Sequence, residues 1–209
     1  LKQRLDPSVT IMQGINNQIK KNQKRIVFAD GEDQNTLKAA IAFKKSGLGI
    51  PILIAKEKVV KERLKEIGYS ENFDIEIVNL NSKEKAKKYS KYIFNKLHGD
   101  KGELEPDIYE LYTRDCDKII KKDRVVWGSC MVSCGDADAM VAGNTRRYGQ
   151  SLDKVLKVID SRPGEIMFGL NMVVNKGRTI FIGDTSVHEY PTSAQMAEIA
   201  ISAARVVRL

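Results

Sequence analysis

Short apolar runs alternate with stretches of helical period along much of the chain, and this alternation limits the fold more than any other feature. Residues 25–29 (RIVFA) are apolar and β-branched and read as a strand. Asp30, Gly31, Glu32 and Asp33 form its turn, with Asp33 placed to cap a helix that buries Leu37, Ala40 and Ile41. Gly47 and Gly49 end that helix. Residues 50–55 (IPILIA) are a second strand, with Pro51 tolerated near its start. Residues 59–67 are helical and closed by Gly68, and residues 73–78 alternate apolar positions as a third strand. Residues 82–97 form a long lysine-rich helix with Ala86, Tyr89, Ile93, Phe94 and Leu97 inward. Strands separated by helices at this spacing predict βαβ units and a parallel sheet.

The second half keeps the pattern and then breaks it. Residues 103–122 read as one or two helices, and residues 123–134 as a helix packed by Val126, Trp127, Cys130, Met131 and Cys134. Residues 137–142 lack bulky polar groups apart from Asp138, so they suit a strand covered on both faces. Residues 151–159 carry Leu152, Val155, Leu156 and Ile159 at helical spacing. Arg162, Pro163 and Gly164 interrupt the chain. Residues 167–174 and 179–182 are then two strands joined by Asn175, Lys176 and Gly177, a hairpin turn in which Gly supplies positive φ. Thr192 and Gln195 form a capping box for a last helix with Met196, Ile199, Ala200, Ala203 and Val207 as its stripe. The expected fold is α/β, a three-layer αβα arrangement with a mainly parallel sheet. Two subdomains are expected, residues 25–160 and 161–209, the second holding the antiparallel hairpin. Residues 1–24 read as a linker or helix from a preceding domain.

The stretch at 135–148, GDADAMVAGNTRRY, is the candidate site. Gly135 can close the helix before it. Gly143, Asn144 and Thr145 form a loop at the carboxyl end of a strand, where ligands of open α/β sheets bind. Small residues there expose backbone N–H groups, and Arg146 and Arg147 add fixed positive charge. The start of the following helix points its dipole at the same loop. This combination suits a phosphate or another anion. An ordinary turn with two solvated arginines explains the spacing equally well. Asp30, Glu32 and Asp33 are read as a capped turn in preference to a functional edge, and His98 as a turn residue in preference to a ligand contact.

Composition narrows the partners. Charged residues make up 30% of the 209 and hydrophobic ones 42%, as in a globular protein. No apolar run approaches the roughly 20 residues of a membrane span. The net charge of +8 comes from 35 Lys and Arg against 27 Asp and Glu, with much of the excess in lysines between 56 and 101. A basic stripe interleaved with aromatics is missing, so an anionic small ligand is preferred to nucleic acid. Cys116, Cys130 and Cys134 are an odd count without a secretory signal, which points to reduced thiols and a cytoplasmic setting. The two later cysteines have no histidine at ligand spacing and are read as buried thiols, with no metal expected. Leu1 is not an initiator Met and Leu209 falls inside a helical pattern, so both ends are read as boundaries within something longer.

Several segments together carry a resemblance. RIVFADGEDQNTLKAA, GIPILIA, GDADAMVAG, NTRRYGQSL, VIDSRPG and IFIGDTSVHEYPTSAQMAEIAISAARVVR resemble the phosphate acetyl/butyryl transferase family over nearly the whole chain from Arg25. They are most similar to the phosphotransacetylase-like domain at the carboxyl end of bacterial NADP-dependent malic enzymes. Arg147 with Tyr148, Asp184 with Thr185 and Val187, Pro191 with Thr192, and Ala197 to Ile199 lean that way. The resemblance implies two α/β subdomains with a ligand cleft and at least a dimer. It also implies that the carboxyl-terminal part of the family domain, with its catalytic Ser-Arg and Asp motif, lies beyond Leu209. His98 and Asp153 stand where true phosphotransacetylases have arginines. An aspartate in place of a phosphate-binding arginine would repel the substrate.

The function implied is that of a regulatory and oligomerisation domain of an NADP-dependent malic enzyme, which decarboxylates malate oxidatively to pyruvate, with acetyl-CoA as its effector. Binding falls to Gly143, Asn144, Thr145, Arg146, Arg147 and Asp184, and no catalytic residue is assigned to this segment. NADP and a divalent metal would belong to other domains of the parent. The alternative is a phosphate acetyltransferase that moves an acetyl group between coenzyme A and phosphate. That chemistry needs a base for the thiol, and no candidate base is placed.

Overall fold

In the computed structural model, residues 7–69, 73–98, 106–175 and 178–207 are described. The chain divides into two compact units, one from Ile19 to Ile159 and one holding the residues before Ile19 together with those from Asp160 onward.

The unit beginning at Ile19 is built on four parallel strands, β1 (Lys24–Phe28), β2 (Gly49–Ile54), β3 (Glu76–Val78) and β4 (Ala139–Val141), in the order β3-β2-β1-β4. Their apolar residues alternate between two faces. Val27, Ile52, Ile54 and Val78 point to one side, where they meet α4 (Lys83–His98), α5 (Pro106–Lys122) and α6 (Arg124–Ser133). Phe28, Leu53 and Ala55 point to the other and pack on α2 (Gln34–Lys45) and α3 (Glu57–Glu66). The three layers expected from the sequence are therefore present, although Leu97, expected inward on α4, is exposed near the carboxyl end of that helix. Trp127 and Tyr89, both fully buried, meet edge to face at 5.1 Å between ring centroids. Such a pair contributes about 0.5–1.5 kcal/mol beyond its area.

Capping follows the residues that invite it. Asp33 accepts the Thr36 N–H at 2.9 Å and starts α2. Asp123 accepts the N–H groups of Val125 and Val126 and starts α6, whose residues 125–131 are all buried. A helix apolar on every side sits inside the fold, and α6 lies between the sheet and the α4–α5 pair. The 103–122 stretch is a single helix over its described part. The expected turn at residues 98–102 and the side chain of His98 lie outside the described residues.

Strand β4 differs from the expectation of a strand covered on both faces. It pairs with β1 alone, at the sheet edge, and Ala139 and Val141 are exposed. Arg25 fastens its entry. The Arg25 N–H donates to Asp138 Oδ2 at 2.7 Å, and its guanidinium reaches Asp138 Oδ1 and the carbonyls of Gly135 and Asp136. These bonds from Arg25 hold the Asp138 carboxyl down at about 2.

The other unit has an antiparallel pair, β5 (Leu170–Asn175) and β6 (Arg178–Gly183), registered from Leu170↔Gly183 to Asn175↔Arg178. The last two residues of the expected hairpin turn, Lys176 and Gly177, lie outside the described residues. The capping box of α8 (Ser193–Val207) is formed, with Thr192 N–H donating to Gln195 Oε1 at 2.8 Å and Gln195 N–H to Thr192 Oγ1 at 3.3 Å. The stripe on α8 is a correction. Ile199 is buried against β6 and Ala203 is half-buried, whereas Met196, Ala200 and Val207 are exposed, because no described residue covers that side. Helix α1 (Pro7–Lys21) precedes β1.

Candidate functional site

The order β3-β2-β1-β4 puts the reversal of strand order between β1 and β4, and ligands of doubly wound sheets bind at the carboxyl ends of such a pair. Two loops meet there. Residues 30–33 leave β1 and residues 142–147 leave β4. Ala29 N–H donates to the Val141 carbonyl at 3.0 Å and carries the pairing one step past β1.

Asp30 then fills the space between the loops. Its side chain is almost wholly buried. Oδ2 accepts the backbone N–H groups of Gly143 at 3.1 Å and Asn144 at 3.0 Å, and Oδ1 accepts the Thr145 hydroxyl at 2.5 Å. Gly143 has φ of 104°, outside the range of side chains other than hydrogen, so the turn that aims these donors needs glycine. The Asn144 amide donates to Asp33 Oδ2 at 2.6 Å and to Thr36 Oγ1 at 3.3 Å. Hydrogen bonds from the Thr36 N–H, and then the Asn144 amide among others, hold the Asp33 carboxyl below its ordinary value.

Two ion pairs flank this knot. Arg146 donates to Asp123 Oδ2 at 2.8 Å, and Arg124 bonds Glu32, which also accepts the Lys56 N–H at 3.0 Å. Burial opposes ionisation of Asp123, but Arg146 and the two α6 N–H groups outweigh it and lower its pKa. Arg147 is exposed, stands as N-cap of α7 (Tyr148–Leu156), and has no side-chain partner among the described residues. Ser151 on α7 is buried beneath Gly143, with its hydroxyl unbonded among the described residues.

The sequence reading gave the loop N–H groups to a ligand. The structure gives those of Gly143 and Asn144 to Asp30, and Arg146 to Asp123. What remains open to an anion is Arg147 and the first turn of α7, which has no side-chain cap. Gly143, Asn144, Thr145, Arg146 and Arg147 are thus brought together in one unit. Asp184 belongs to the other. At φ of 47° it accepts the N–H groups of Val187, His188 and Gly169, and its carboxylate bonds the His188 ring. The turn reading of Asp30, Glu32 and Asp33 omitted the partner across the sheet, and Ser151 had no motif to mark it.

No group of three His, Cys, Asp or Glu side chains is placed to hold a metal among the described residues. Cys130 is buried on α6, and burial pushes its thiol up to about 12, out of nucleophilic range near neutral pH. No helix among the described residues is long and apolar enough to cross a membrane.

The parallel four-stranded sheet and the separate antiparallel pair make an α/β fold that solved phosphotransacetylases share. A phosphotransacetylase of Streptococcus pyogenes superposes with a TM-score of 0.77 at 22% identity, over 96% of this chain and 59% of that one. The sequence pattern of the phosphate acetyl/butaryl transferase family matches residues 10–209, and the chain belongs to that family. The NADP-dependent malic enzyme of Rhizobium meliloti is 34% identical over 209 residues, which is 100% of this chain and 26% of the enzyme. The phosphate acetyltransferase of Nitratidesulfovibrio vulgaris is 28% identical over 193 residues, or 91% of this chain and 26% of that protein. The chain spans about a quarter of the malic enzymes it matches and corresponds to their phosphotransacetylase-like domain.

Proposed function

We propose that this chain is the regulatory and oligomerisation domain of a cytoplasmic NADP-dependent malic enzyme and that it senses acetyl-CoA. The observation that carries the reading is the state of the switch-point loop. The Gly143 and Asn144 N–H groups and the Thr145 hydroxyl are satisfied internally, and Arg147, without a side-chain partner among the described residues, sits at an uncapped helix start. That arrangement suits reversible binding of a coenzyme phosphate. Asp153, exposed on the same helix, adds negative charge where transfer chemistry would want a cation. The identity to malic enzymes over the full chain supports the same branch. NADP and a divalent metal would be held outside this segment. Self-association is supported by the apolar side chains that β6 and α8 expose, Ile180, Ile182, Met196 and Ile201.

Calorimetry with acetyl-CoA on the full natural protein, paired with malate turnover with and without acetyl-CoA, tests this role. Binding that is lost in Arg147→Ala, together with a change in turnover, is expected. No binding and no response of malate oxidation would remove it.

The similarity to phosphate acetyltransferases favours a second reading, transfer of an acetyl group from the coenzyme A thioester to phosphate, releasing the thiol. Formation of acetyl phosphate from acetyl-CoA and phosphate would establish that activity.

A further inference from the structure

We propose a second anion site in the groove between α4 and α5 that takes a phosphate-bearing small molecule. It is independent of the acetyl-CoA reading, since it uses neither the 143–147 loop nor α7. The groove encloses about 370 Å³, within the range of about 300–1,000 Å³ for small-molecule sites. From α4 it is lined by Lys83, Lys87 and Ser90, spaced so that they share one helix face. From α5 come Arg114, Lys118 and Lys121, with Asp117 as the one acid among the described residues of the lining.

Charge in this groove is unbalanced. Lys121 is paired with Asp117 at 2.5 Å and Lys118 with Asp115 at 2.9 Å. Lys83, Lys87 and Arg114 have no acidic partner among the described residues. Among the described residues, then, three cations without an acidic partner face one groove and repel one another, and an anion between them relieves that repulsion. The second observation is Ser90. The residue is 1% exposed and forms part of the lining, and its buried hydroxyl has no hydrogen-bond partner among the described residues. An unpaired buried hydroxyl is a standing cost that a ligand oxygen would remove.

The donor set selects the ligand class. Arg114 offers a planar fork, the two lysines offer compact charges, and Ser90 offers one O–H. Together they match the several oxygens of a phosphate better than the two of a carboxylate. Lys121 also lines a neighbouring cavity of about 280 Å³ at the carboxyl ends of β2 and β3. Ile54, Ala55 and Leu80 give that cavity apolar surface, Asn79 and Asn81 give it amides, and Lys56 and the Arg124–Glu32 pair give it charge. The polar remainder of a phosphorylated molecule would extend there. Among the described residues no aromatic side chain lines either cavity, so they offer none of the stacking that single-stranded nucleic acid uses.

The test is calorimetry of the full chain at low salt with inorganic pyrophosphate and with ATP as probes. Saturable binding of both is expected. Lys87→Gln with Arg114→Gln should weaken it by about tenfold or more, and Ser90→Ala by a few-fold. Lys38→Gln, which removes an exposed cation of α2, should leave it unchanged. Without ligand the double variant should melt no lower than the parent, because repulsion is relieved. Absence of binding, an equal loss in Lys38→Gln, or affinity for oligonucleotides that exceeds that for ATP would overturn the proposal. So would a double variant that melts well below the parent yet binds both probes undiminished.

Discussion

The carboxylate of Asp30 accepts the backbone N–H of Gly143 at 3.1 Å, joining the ends of two strands that lie 113 residues apart. The same carboxylate takes the Asn144 N–H and the Thr145 hydroxyl, so one side chain sets the shape of the whole loop. Asp30→Ala leaves three donors without an acceptor and should lower stability by about 2–3 kcal/mol. Asp30→Asn keeps an acceptor oxygen and should cost about 1 kcal/mol. Urea denaturation of both variants measures the difference. Phosphate or sulfate should restore part of the Asp30→Ala loss by occupying the freed donors. Equal losses in the two variants would show that the hydrogen bonds do not hold the loop.

Asp123 does two things at once. It caps α6 through Val125 and Val126 and receives Arg146 at 2.8 Å in a partly buried setting. Arg146→Ala removes the pair alone, while Asp123→Ala removes the pair and the cap. The second variant should be less stable than the first by about 1 kcal/mol, the typical worth of such a cap. A double-mutant cycle should return a coupling of about 1 kcal/mol. A coupling near zero would mean that Arg146 is held by solvent alone and stays available to a ligand.

Much of this frame was legible before the structure. Apolar runs at residues 25–29 and 50–55 mark β1 and β2, and Asp33, Gly68 and Thr192 mark helix ends, because each signal is local. Strand order is not local. Nothing in GDADAMVAGNTRRY states that its strand lies beside β1, and only that placement turns Asp30 into the partner of Gly143 and Asn144. The site residues were therefore found as a loop, but the owner of their hydrogen bonds was not. The exposure of Met196 had the same origin. Helical spacing defines a stripe on α8, and only the surrounding packing decides whether anything covers it.

Gly31 tests how tightly the β1 turn sits on the sheet. A Cβ there would lie 2.9 Å from the Ile54 carbonyl oxygen and 3.1 Å from the Leu53 Cβ. Both belong to β2 and its backbone ladder, so neither can swing aside. Gly31→Ala should cost about 1–3 kcal/mol, or about 2–4 °C in Tm per kcal/mol for a chain of this size. Calorimetric melting checks the figure. An unchanged Tm would mean that the turn rides off the strand without loss.

Asp184 should give the unit holding β5 and β6 an acid-sensitive lock. Burial opposes its ionisation, yet the Val187 N–H, the His188 ring and the N–H groups of Gly169 and His188 together bring it from 3.8 to about 2. A carboxyl depressed in the folded state stabilises the fold above its unfolded pKa. That contribution is present in full above about pH 5 and declines as pH falls through the interval toward 2. Asp184→Asn keeps the positive φ of 47°, which asparagine tolerates, and removes the charge. Melting curves between pH 2 and 6 should therefore be shallower in Asp184→Asn than in the parent, with the two converging at the acid end. Asp184→Ala should lie below Asp184→Asn at every pH, since alanine pays about 1 kcal/mol for the left-handed backbone. Parallel curves for the parent and Asp184→Asn across the whole range would show that the carboxylate is not what locks this turn.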